Sequence, residues 1–98
     1  MSGAAGRLAL LAGALFDAGV PCEPLGDAAA PVLRVWLAGR PELGDSVTAD
    51  EDDGVWCFRS SVGLPLGPCD EPEQVAATLA EVLRDPAPLL RSVRWGRR

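Results

Sequence analysis

Covalent chemistry in this 98-residue sequence would have to rest on Cys22, Cys57 and Cys69 and on 14 carboxylates, because the chain contains no His, Lys or Tyr. Nucleophilic catalysis needs a base beside the nucleophile, so the usual Ser–His, Cys–His and Ser–Lys arrangements are excluded, and most hydrolases with them. Three cysteines without Cys-x-x-Cys spacing argue against a disulfide framework and for a reducing, cytoplasmic setting. A zinc site would need all three thiolates plus a carboxylate or water; the simpler reading is three small, partly buried hydrophobes. The densest carboxylates, Asp50-Glu51-Asp52-Asp53, suggest a hard-metal site, yet the run lacks EF-hand spacing and a closing Glu. A solvated hairpin turn, with Asp53-Gly54 supplying the turn conformation, accounts for it better. Gly63-Leu64-Pro65-Leu66-Gly67 is no phosphate loop, since two leucines and a proline stand where free backbone N–H groups are required. The residues thus imply no catalytic group, no cofactor and no metal.

Size and charge narrow the reading further. A chain of this length buries roughly 60 to 65% of its unfolded surface, enough for one layer of helix on one sheet and too little for an interior cofactor cavity. The net charge is −5, but residues 1–85 carry −9 and residues 86–98 carry +4. An acidic body repels nucleic acid and anionic membrane, and only Arg91, Arg94, Arg97 and Arg98 of the tail could reverse that. Lys, Asn, Ile and Tyr, all absent, have A/T-rich codons, which points to a high-GC bacterial genome.

The elements that would position these groups follow from periodicity. Within Gly3 to Val20 the apolar run is closed early by Asp17 and is too short for a membrane span, and Pro21 before Cys22 spoils a cleavage site or lipoprotein box. It reads as a helix over residues 4–18, ended by Gly19 and Pro21. At 100° per residue Leu8, Leu11 and Leu15 form the core arc, extended by Ala12 and Phe16. The outer face carries Leu10 and Gly13 with little charge, open either to a partner or to the reading of an Ala-rich helix. A short strand near Val20–Leu25 precedes an alternating strand at 32–38 with Leu33, Val35 and Leu37 inward and Arg34 and Trp36 outward. Gly39 to Asp45 reads as a turn-rich loop, Ser46 to Ala49 as a short strand and Asp50 to Gly54 as an acidic turn. From Val55 a strand puts Trp56, Phe58 and Ser60 on one face, which Trp36 on the next strand could share. Trp56 and Phe58 are expected in the core; Trp36 is open between core and surface. Pro65 makes residues 63–68 an edge or corner. A second helix starts with Asp70 as N-cap, Pro72 in the first turn and Glu73 as capping-box partner, with Val75, Ala76, Leu79, Val82 and Leu83 toward the core and Pro86 and Pro88 beyond its end. The basic tail with Trp95 is either an arm for an acidic partner or a frayed terminus.

Asp53-Gly54, Trp56, Phe58, Gly63, Pro65, Leu66, Gly67, Pro68 and Asp70 resemble the pattern of a loose group of small, acidic, uncharacterised actinobacterial proteins. The likeness covers about residues 32–84; it implies a fold and brings no activity. Cys57 and Ser60 stand where that group has further aromatics. The layout is also similar to that of small dimeric secretion chaperones, an analogy that transfers no residue.

The expected architecture is α+β, a two-layer α-β-β-β(-β)-α domain over residues 1–85 with an antiparallel sheet of three or four strands and both helices on one face; 86–98 form a flexible basic tail. The expected function is a non-catalytic, dimeric interaction or accessory module, cytoplasmic and independent of membranes. Its candidate contacts with a protein or peptide partner are Leu10, Gly13, Arg34, Trp36, Gly63, Leu64, Pro65 and Trp95. Alternatives are a regulatory, antitoxin-like component using its Arg tail on nucleic acid, and a small carboxylate- or metal-dependent enzyme.

Overall fold

A computed structural model of the chain describes residues 3–27 and 29–84. Helix α1 (Ala4–Asp17) is followed by strands β1 (Cys22–Leu25), β2 (Val32–Leu37), β3 (Arg40–Asp52), β4 (Val55–Arg59) and β5 (Pro65–Pro68), then by helix α2 (Pro72–Arg84). The strands form one antiparallel sheet in chain order, β1-β2-β3-β4-β5. The chain is therefore α+β, with five strands where the sequence suggested three or four. The tail residues Arg91, Arg94, Trp95, Arg97 and Arg98, and Pro86 and Pro88, lie outside the described residues.

Register fixes which face is core. Leu33 pairs with Val47, Ala49 with Phe58 and Glu51 with Trp56, so the odd-numbered residues of β2 and β3 and the even-numbered ones of β4 point the same way. Leu33, Val35, Val47, Ala49 and Phe58 on that face are buried in one cluster with Leu8, Leu11 and Leu15 of α1 and Val75, Ala76, Leu79, Ala80 and Leu83 of α2. Val82, placed in the stripe by its spacing, is only half-buried, and Ala80 takes the core position. Trp56 packs against the cluster, while Trp36 points to the opposite face. The shared aromatic face expected from sequence does not exist, because alternation along β2 puts Trp36 out of phase with Leu33 and Val35.

Local signals explain the boundaries. Gly19, at φ +79°, closes α1: its N–H bonds the Phe16 carbonyl and the Val20 N–H reaches the Leu15 carbonyl at 2.8 Å, a Schellman ending. The expected loop at 39–45 is instead the start of β3. Ala38 and Gly39 (φ +81°) make the whole β2–β3 turn, and Pro41 sits inside a register shift, where its missing N–H costs no ladder bond. The acidic turn shrinks to Asp53 (φ 53°) and Gly54 (φ 80°), the two-residue loop of a hairpin in which β3 ends at Asp52 and β4 begins at Val55. Asp50, Glu51 and Asp52 belong to β3. At α2 the residue half in the helix is Glu71, whose carbonyl accepts from Val75 N–H, so Asp70 stands one place before the cap. Arg7 and Leu10 near the start of α1 lie beside Cys69 and Asp70 just before α2, whereas Ala18 to Val20 after α1 meet Ala80 and Leu83. The two helices therefore run parallel, as an odd number of antiparallel strands between them requires.

Candidate functional site

Helix α1 carries the largest apolar exposure. Its N-cap is Gly3, which offers no side-chain bond, and its first turn has no acid, so packing of the Leu8, Leu11 and Leu15 stripe holds it in place. Leu10 is 63% exposed, and Gly13 faces open space, with no atom within 4 Å of where a Cβ would stand. Phe16, expected to extend the core arc, is 81% exposed. At about 80° from Leu8 it passes beyond the stripe that the sheet covers.

On one flank of α1 a groove of about 480 Å³ opens between the first half of the helix, the Gly54-Val55-Trp56 hairpin end and the Pro68-Cys69-Asp70 corner. Strand register delivers Trp56 to this face, and the Cys69 N–H bonded to the Trp56 carbonyl at 3.1 Å pins the corner beside it. The Arg7 guanidinium lies over the Trp56 ring, 4.1 Å from its centroid. Its one hydrogen bond, to the Gly3 carbonyl, is long at 3.5 Å, and among the described residues it has no carboxylate partner. Leu10 and Val55, the latter 61% exposed, form apolar rims. Burial pushes the Cys69 thiol up to about 11, offset in part by the Arg7 cation, so the thiol stays protonated and weakly nucleophilic near neutrality. The groove thus combines apolar walls, one aromatic, the Arg7 cation and, at the corner, the Asp70 carboxylate, which makes no ion pair with Arg7. Arg7 and Val55 were missed by sequence reasoning; the only signal was an isolated Arg at the head of an apolar helix.

A second groove, about 260 Å³, runs along the other flank of α1 against β1 and β2 and is lined by Ala5, Leu8, Ala9, Ala12, Pro24 and Leu25, with Pro31, Val32 and Leu33. Among the described residues no charged side chain lines it.

The remaining candidates are scattered. Arg34 and Trp36 alternate out of phase with buried Leu33 and Val35, and Trp36, half-buried, also lines a hollow with Ala18 to Val20, Ala80 and Leu83; Arg34 donates to the Pro41 carbonyl at 2.9 Å, which occupies part of its fork. Trp36 covers Gly44, where a Cβ would run into the Val35 carbonyl oxygen and stand 2.9 Å from the Trp36 Cβ. Gly63, Leu64 and Pro65 form an exposed corner whose polar groups are used internally: Leu64 N–H bonds the buried Ser60 hydroxyl, Ser60 N–H bonds the Leu64 carbonyl, and Arg59 reaches the Gly63 carbonyl. Both sheet edges carry proline, Pro24 in β1 and Pro65 and Pro68 in β5, which guards them against pairing with an added strand. The acidic run does not converge, because Asp50 and Asp52 point to one face of β3 and Glu51 to the other. Among the described residues no group of three or more His, Cys, Asp or Glu is placed to hold a metal ion, and no helix is long and apolar enough to cross a membrane. Trp95 lies outside the described residues.

No protein-family profile, no curated protein and no solved structure matches the chain.

Proposed function

We propose that this chain is a non-catalytic interaction module of the accessory or chaperone-like kind, which holds an apolar segment of a partner protein in the Arg7–Trp56 groove. The observation that carries this reading is a cation stacked on an aromatic and, among the described residues, in no ion pair, at the side of an open groove rimmed by exposed Leu10 and Val55. Such a groove suits an extended segment that places apolar side chains on Leu10, Val55 and Trp56 and a carboxylate, from a side chain or a chain end, on the free edge of the Arg7 fork. The raised thiol of Cys69, protonated near neutrality, supports a binding role over a thiolate-based catalytic one. Three free cysteines support a reducing compartment, and we place the module in the cytoplasm.

Cross-linking in cells of the native host tests the proposal, with the wild-type chain compared against Arg7→Ala and Leu10→Ser. A discrete set of proteins should be retained by the wild type and lost from both variants, which should melt within a few degrees of it because neither side chain is in the core. Identical recoveries from all three forms would sink the reading.

A further inference from the structure

We infer that α1 is also the seam of a homodimer, in which Phe16 of each copy seats in the groove between α1 and β1 of the other. The groove holds about 260 Å³, and a cavity of roughly 150 Å³ already accepts a benzene ring. The knob and the hole are on one ridge: Ala5, Ala9 and Ala12 form the helical wall of the groove, and Phe16 continues that row four residues on. A two-fold axis crossing α1 near Leu11 sets the helices antiparallel and brings residue 16 of one copy opposite residue 6 of the other. Each Phe16 is then displaced about 7.5 Å from the axis, onto the partner's Ala5–Ala9 wall. Ala9 and Gly13 straddle the axis and let the backbones approach to about 8 Å, and Gly13 has empty space where a Cβ would be.

Charge selects a second copy of this chain at this face. Residues 1–85 carry −9, yet no acid occurs before Asp17, so the α1 face brings few carboxylates against those of a second copy. The same antiparallel register lays Asp17 of each copy beside the other's α1 N-terminus, which has neither a side-chain cap nor an acid in its first turn. A carboxylate there complements the helix dipole. The seam is small, a helix of 14 residues about 21 Å long with its groove flank, so dissociation on the order of 10 µM is expected rather than a permanent dimer. It is centred on Ala9, Gly13 and Phe16 and leaves the Arg7–Trp56 groove on the other flank uncovered.

Sedimentation velocity of the full chain from about 1 to 500 µM, bracketing that affinity, provides the test. The wild type should pass from monomer to dimer across that range; Phe16→Glu should stay monomeric throughout, and Ala9→Leu, which fills the groove without adding charge, should weaken association at least tenfold. Both positions are exposed, so circular dichroism and the melting profile of dilute protein should be unchanged. A wild type that is monomeric at every concentration overturns the inference, leaving another protein or residues 85–98 as the occupant. A Phe16→Glu form that dimerises as well as the wild type also overturns it, placing the interface elsewhere.

Discussion

Gly67 is the residue at which the β5 corner is set against α2, and replacing it tests how that joint is made. Its φ of +147° is a conformation that side-chain-bearing residues rarely adopt, and an added Cβ would stand 2.7 Å from Cγ2 of Val75, which is 1% exposed. Val75 is β-branched and packed in the helix, so it cannot swing aside. Gly67→Ala therefore combines backbone strain of about 1–3 kcal/mol with overpacking of about 1–3 kcal/mol. A total near 3–4 kcal/mol is a large share of the roughly 5–15 kcal/mol that holds a domain folded. Urea unfolding followed by tryptophan fluorescence should show the midpoint falling by roughly 2–4 M, at a slope of about 1–1.5 kcal/mol per M. Val75→Ala alone should cost about 2 kcal/mol through lost burial and a cavity. In the double variant the offending methyl is gone, so the two losses should fall short of additivity by about 1–2 kcal/mol. Gly63→Ala is the control: its φ is +84° with nothing within 4 Å, and strain alone should cost about 1–2 kcal/mol. A Gly67→Ala form within about 0.5 kcal/mol of wild type, or strictly additive losses, would refute the proposed contact.

Two further outcomes are expected. Gly54→Ala should cost about 1–2 kcal/mol by thermal melting, since φ +80° is strained for alanine although no atom obstructs the new Cβ, whereas Asp53→Asn at φ 53° should leave the midpoint unchanged; equal effects would mean that the turn is not held by left-handed backbone. Stability should fall as pH rises from about 9 to about 11, because the Cys69 thiol is raised from 9.0 to about 11 in the fold and the unfolded chain loses its proton first. Below pH 9 the contribution is present in full, and above 11 it is gone. Burial raises the Cys22 thiol as well and adds to the same fall, so Cys69→Ala should reduce the fall without abolishing it; an undiminished slope in that variant would contradict the assignment.

The parts of the fold legible in sequence are those with strong periodicity or obligatory turn chemistry. Leu8, Leu11 and Leu15, Val75, Ala76, Leu79 and Leu83 of the second stripe, the Asp53-Gly54 hairpin and the proline-marked edge at residues 65–68 are all placed as their spacing implies. Residues 40–45 were misread because Gly39, Pro41 and Gly44 each signal a break, and only pairing with β2 shows that one makes a turn, one sits in a register shift and one lies under Trp36. Phe16 was misread because a helical wheel has no knowledge of where the sheet ends. The Arg7–Trp56 pair joins residues 49 positions apart in sequence, and nothing local to either announces the other. Leu10 and Gly13 did stand out, since an outer helix face without charge is visible in one dimension.

The parallel setting of α1 and α2 bears on how the molecule comes into being. Each strand pairs only with its neighbours in the chain, so the sheet can grow hairpin by hairpin as the polypeptide leaves the ribosome. The helices are different, because α1 must wait for α2. Until Val75, Leu79 and Leu83 emerge, Leu11 and Leu15 lack the other half of the cluster that leaves them fully buried in the finished fold. The α1–α2 seam thus works as a clasp between the two ends of the domain, and a nascent chain that stops at β5 cannot close its core.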